Sequence, residues 1–171
     1  IINAGLARLD DAVTALAAFS VAMVLHLFVA SPSYQNHTVT IAMVHGRKSF
    51  YGTCLFVVLV ASYVSLMLAL LAFTPIGTLV LNDLLGVNPE VAQGAREVLS
   101  LMVFLPFFTG VRGLSQGLVI QARRTGLVSL ATGVRIATLF GYLWIGQQLF
   151  TGPKVAAFAL LFCVITETVV V

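Results

Sequence analysis

A chain of 171 residues with 60% hydrophobic and only 9% charged positions cannot build a water-exposed surface, because a soluble domain carries roughly 25% charged residues. A net charge of +3 and a pI near 9.2 do not describe a nucleic-acid binder either, since nine basic residues spread over long apolar runs make no continuous basic face. The mean hydropathy of +1.06 places the chain in a bilayer.

The chain opens Ile1-Ile2-Asn3 without an initiator methionine and closes on Val169-Val170-Val171 inside an apolar run. Both ends read as cut, which predicts a piece of a longer polytopic protein lacking most of the helix before Asn3. A first, net acidic connection, Arg8-Leu9-Asp10-Asp11, leads into the run Ala12–Gly46. Helices rise about 1.5 Å per residue and the hydrocarbon core is about 30 Å thick, so roughly 20 residues cross it. Ala12–Val44 exceeds that, and Ser31-Pro32-Ser33 predicts a bend near Pro32, because proline withholds a backbone donor. The residues that follow, Tyr34, Gln35, Asn36, His37 and Thr38, are polar enough to line a wet cavity. They fit equally an interfacial loop with a short amphipathic segment after it.

The basic connection His45-Gly46-Arg47-Lys48 precedes the second run, Ser49–Asn82. The connection from 82 to 97 sets Asp83, Glu90 and Glu97 against Arg96 and reads as a net acidic surface segment. Within it Asn88-Pro89-Glu90 is a helix start, with an N-cap, proline at the first helical position and an acid in the first turn. That helix should run on into the third run, Val98–Ala122, which contains Pro106. There Gly110, Gly113 and Gly117, with Ser115, offer a face on which a neighbouring helix can lie close. Arg123-Arg124 is basic again, Thr125–Gly152 is the fourth run, and Val155–Val171 the fifth. The predicted spans are 12–44, 50–80, 97–121, 126–149 and 155–171. Basic connections mark the cytoplasmic side, so Arg47-Lys48 and Arg123-Arg124 are assigned inside, Asp10-Asp11 and the 82–97 connection outside.

No nucleotide loop, zinc motif or nucleophile elbow is present, so neither enzymatic activity nor a cofactor is expected. His26, His37 and His45 lack metal-ligand spacing, and Cys54 and Cys163 read as small buried apolar residues. The remaining chemistry is ionisable residues inside spans. Arg112 and Arg135 each lie eleven residues from the Arg123-Arg124 turn, roughly 16 Å along a helix and near the midplane. A central charge costs at least about 2.5–3.5 kcal/mol there and normally faces a cavity or a partner. Glu167, thirteen residues past Lys154, is the one acid inside any run, and antiparallel packing could bring it to Arg135. A substrate or ion site and a structural ion pair are both open readings. Two arginines against one acid favour an anion site.

The stretch LGVNPEVAQGAREVLSLMVFLPFFTGVRGLSQGLVIQARRTGLVSLATGVRI, Leu85 to Ile136, resembles the ankylosis (ANK) protein family, within the multidrug/oligosaccharidyl-lipid/polysaccharide exporter superfamily. Gly86-Val87, Pro106, Arg112, Gly117, Arg124-Thr125 and Arg135-Ile136 fall on like residues of the family's second lobe, and Glu167 in ITETVVV on a similar acid-containing helix. The opening INAGLARLDDAVTALAAF resembles the start of either lobe. The resemblance implies an all-α polytopic membrane bundle: one six-helix lobe, residues 1–171, of a two-lobed MATE-like transporter, with most of its first helix missing. It implies alternating-access export of a small multivalent anion of the pyrophosphate, nucleotide or citrate class. The candidate substrate-binding set is Arg112, Arg135, Glu167, Asn36 and Gln116. The partners implied are that anion, the lipid bilayer of a plasma or bacterial inner membrane, and a second lobe in the same full-length chain. Alternatives are a multidrug or lipid-linked saccharide exporter of the same fold, whose cavity acids should dominate, and a non-transporting membrane scaffold.

Overall fold

The structure, a computed structural model, describes residues 2–7 and 11–171. Arg8, Leu9 and Asp10, most of the first predicted connection, lie outside the described residues. A short helix α1 (Ile2–Leu6) leads to α2 (Ala12–Tyr34) and α3 (Asn36–Met43). The bend predicted near Pro32 is reduced to a short break in regular geometry, and Ala12–Met43 runs on as one 32-residue stretch. Pro32 withholds one bond, toward Phe28, and the 23-residue α2 absorbs that loss. Regular geometry stops instead at Gln35, whose N–H reaches the Pro32 carbonyl at 3.3 Å.

The second run is shorter than predicted. Helix α4 (Arg47–Phe73) ends at Thr74, which is extended because proline follows it. Thr74 then caps α5 (Pro75–Thr78) by accepting the Ile76 N–H at 3.3 Å. A π-helical turn, Leu79–Leu84, completes the corner. Arg96 closes the end of α4 by donating to the carbonyls of Ala72 and Thr74, both at 3.1 Å. The span therefore stops at Phe73 and not near residue 80.

Helix α6 (Pro89–Met102) starts as its sequence dictates: the Asn88 side-chain carbonyl accepts the Glu90 N–H at 3.3 Å, with Pro89 in the first turn. The 82–97 connection is nevertheless not merely a surface segment. Ala92, Ala95, Val98, Leu99 and Met102 recur at helical spacing and are buried, fastening α6 between α2, α4 and α9. Nor does α6 run straight into the next span. A 45° bend at Val103–Phe104 separates it from α7 (Leu105–Gln121). Pro106 cannot donate to Met102, so carbonyls at the bend need other partners. The Ser65 hydroxyl of α4 supplies one, donating to Val103 at 2.7 Å. Ser65→Ala should leave that carbonyl unpaired and lower stability by about 1–2 kcal/mol, read as a fall in thermal unfolding temperature in detergent. An unchanged transition would show that the bend holds without this bond.

Helix α8 (Thr125–Leu149) is peripheral, burying only Ala131, Leu143 and Gly146, mostly against α9 (Lys154–Val170). Among the described residues, three helical stretches are long and apolar enough to cross a membrane: Ala12–Met43, Arg47–Phe73 and Thr125–Leu149. The bent α6–α7 pair makes four. The fifth predicted span is α9, whose 17 residues run to the end of the described chain. The outer surface is apolar, with Phe28, Tyr63, Phe73, Phe140 and Trp144 exposed, as a bilayer-facing bundle requires.

The connections sort to two ends. Gln121 donates to the carbonyls of Ile41 at 2.9 Å and Val44 at 3.0 Å, tying the Arg123-Arg124 turn to the Arg47-Lys48 turn. At the other end Lys154 meets Glu97 at 3.5 Å, and Asp11, Glu90 and Glu97 line one cavity of about 560 Å³. The charge alternation along the sequence thus becomes a basic end and an acidic end.

Candidate functional site

Helix α7 carries two interleaved faces. Gly110, Gly113 and Gly117 are buried against α3 and α4, where added β-carbons would meet Val57, Asn36, His37 and Thr40. One residue earlier in each turn, Arg112 and Gln116 lie four apart on a second face. That face looks toward α9 and Glu167, which is 1% exposed.

One carboxylate oxygen of Glu167 accepts from Arg112 Nη1 at 2.7 Å and from Arg135 Nη1 of α8 at 3.3 Å. Its other oxygen accepts from Gln116 Nε2 at 3.4 Å. Four of the five predicted residues, Arg112, Gln116, Arg135 and Glu167, are thus brought together at one depth. Both arginines point to Glu167. Glu167, expected near Arg135, lies closer to Arg112. Asn36 is the exception: no hydrogen bond joins it to this cluster. It is fully buried in the α3–α7 seam beside Gly110 and Gly113, and neither of its amide atoms has a partner.

The two arginines differ. Arg112 is 15% exposed and forms the shorter, stronger pair, although its Nε is buried without a partner. Arg135 is 38% exposed and lines a cavity of about 380 Å³ with Asn3, Phe19, Met23, Ile136 and Leu139. Two guanidinium groups on one carboxylate leave a local charge of one positive unit. In surroundings less polar than water such a charge attracts anions more strongly. Flanking bonds hold α9 in place: Tyr142 to Thr166 at 2.9 Å, and Thr168 to the Phe108 carbonyl at 3.3 Å.

Sequence reasoning missed the walls of this cavity, because Phe19, Met23 and Leu139 are apolar residues in apolar runs and carry no signal of their own. It also missed the pairing of His26 with Tyr34 at 3.3 Å.

An all-helical bundle with an apolar exterior, connections sorted by charge and an ion cluster in its interior defines an integral membrane protein with a charged site inside its bundle. The chain matches the family model of the progressive ankylosis protein (ANKH) over residues 1–145, and it belongs to that family. The match includes Asn36, Arg112, Gln116 and Arg135 and ends before α9, which carries Glu167. No curated protein and no solved structure matches the chain.

Proposed function

We propose that this chain is one lobe of a two-lobed, MATE-like, alternating-access exporter of a small multivalent anion, of the pyrophosphate, nucleotide or citrate class. The observation that carries the reading is Arg135: a half-buried arginine at membrane depth, open to a cavity, sharing its carboxylate with a second arginine. Glu167 neutralises one of the two charges while the site is empty. An incoming anion engages Arg135 first, since that contact is the longer one and its guanidinium is the more exposed. Arg112 stays on Glu167, keeps the pair oriented and adds to the positive field. Gln116 supplies a neutral polar contact beside the two arginines. The second lobe closes the far side of the cavity, and the acidic end faces away from the cytoplasm.

The test is Arg135→Gln, which retains hydrogen-bonding capacity and removes charge. A charge-assisted contact is worth about 1.5–3 kcal/mol, so efflux of the favoured polyanion should fall roughly tenfold or more at normal surface expression. Normal expression with unchanged efflux of pyrophosphate, ATP and citrate would eliminate the anion site.

A further inference from the structure

Between α3 and α4, at the basic end of the bundle, runs a groove of about 560 Å³ walled by Val39, Ala42, Met43, Gly52 and Phe56. Its polar groups are already engaged. The Thr53 hydroxyl donates to the Ser49 carbonyl at 2.9 Å. The Ser49 hydroxyl accepts the amides of His45 and Gly46, each at 3.0 Å, and donates to the Gly46 carbonyl at 2.9 Å. Thr38, also on the wall, is bonded to the His37 ring at 3.2 Å, so an occupant meets a mainly apolar wall. No described residue covers it: Met43 is 60% exposed and Phe56 46%.

The mouth of the groove is the reverse of its walls. His45, Arg47 and Lys48 are exposed there, and Gln121 holds the Arg123-Arg124 turn at the same end. Every acid among the described residues lies elsewhere, Asp11, Asp83, Glu90 and Glu97 at the acidic end and Glu167 in the interior. The 27-residue α4 also begins at this mouth; the Ser49 hydroxyl takes up the Gly46 amide at 3.0 Å, and the amides of the first turn itself add the positive end of the helix dipole.

We infer that this groove is a binding site for an anionic phospholipid, one acyl chain lying between α3 and α4 and the phosphate held by Arg47, Lys48 and the start of α4. Charge complementarity selects this occupant. A soluble anion would leave the apolar walls bare, and a zwitterionic lipid would gain little from uncompensated cations. A packed protein helix would cover Met43 and Phe56 but give the cations no partner. Basic residues at a membrane end meet anionic headgroups of the leaflet directly, each worth about 1 kcal/mol.

The experiment uses the purified protein in phosphatidylcholine vesicles doped with phosphatidylglycerol or phosphatidylcholine carrying an acyl-chain diazirine, with crosslinks mapped by mass spectrometry. The phosphatidylglycerol probe should label Met43 and Phe56 roughly thirtyfold more than the phosphatidylcholine probe, the scale of two basic residues at a membrane surface. The double variant Arg47→Gln, Lys48→Gln should reduce that labelling to the phosphatidylcholine level. Gly52→Phe should suppress labelling by both probes, because an added β-carbon at 52 meets nothing within 4 Å and position 52 lines the groove that the ring would occupy. Excess inorganic phosphate should not compete. Equal labelling by the two probes, or a preference that survives loss of both charges, overturns the site. So does competition by phosphate. Absence of labelling by either probe overturns it too, since a protein segment would then be the occupant.

Discussion

Glu167→Ala should remove most of the protein from the membrane. The substitution strands two guanidinium groups around a buried position, and breaking a buried ion pair from one side costs about 3–5 kcal/mol, a large share of the stability of an ordinary domain. The same logic predicts a rescue. Adding Arg112→Ala removes the more buried of the stranded charges, so the double variant should recover part of the lost expression and thermal stability. Adding Arg135→Ala to Glu167→Ala should recover less, because Arg135 is already 38% exposed and reaches a cavity. Surface expression and unfolding temperature in detergent, measured across the two cycles, give the coupling energies directly. Wild-type stability of Glu167→Ala would refute the central role assigned to this pair. The two cycles also separate the two readings open at the sequence level: the proposed function expects Arg112 to anchor the structure and Arg135 to be the arginine left available to a substrate.

The second large effect is steric. Gly117→Leu should collapse the α3–α7 seam. Even the first added carbon would sit 2.5 Å from the Thr40 Cβ and 3.0 Å from the His37 carbonyl oxygen, and a backbone atom cannot turn aside as a flexible side-chain tip can. Forcing extra carbons into close packing costs about 1–3 kcal/mol for small additions and more for large ones. Gly117→Ala should therefore destabilise measurably and Gly117→Leu abolish the monodisperse peak in size-exclusion chromatography. The control is Gly133→Ala on peripheral α8, where an added carbon meets nothing within 4 Å. There the gain in helix propensity, up to about 1 kcal/mol, should leave the protein unchanged or slightly firmer. If Gly117→Leu behaves like Gly133→Ala, the seam is not close-packed.

The sequence by itself determined that this chain is helical and membrane-embedded, because backbone hydrogen bonds must close internally in lipid and the apolar runs have the length to cross it. It determined the helix start at Asn88-Pro89, a strictly local matter of caps and φ angles. It also determined that Arg112, Arg135 and Glu167 need company, since an isolated charge at that depth is too costly. Only the tertiary structure decided who keeps whom company. Glu167 is fifty-five residues from Arg112 and thirty-two from Arg135, and nothing local ranks the two partners; the packing of α7, α8 and α9 does. The same holds for the sharp bend. Pro32 and Pro106 look alike in sequence, yet the 45° bend falls before Pro106, where Ser65 on another helix offers the freed backbone a donor. Asn36 looked like a cavity residue and is instead held in a seam, because three glycines let α3 approach α7 more closely than side-chain chemistry alone foretells.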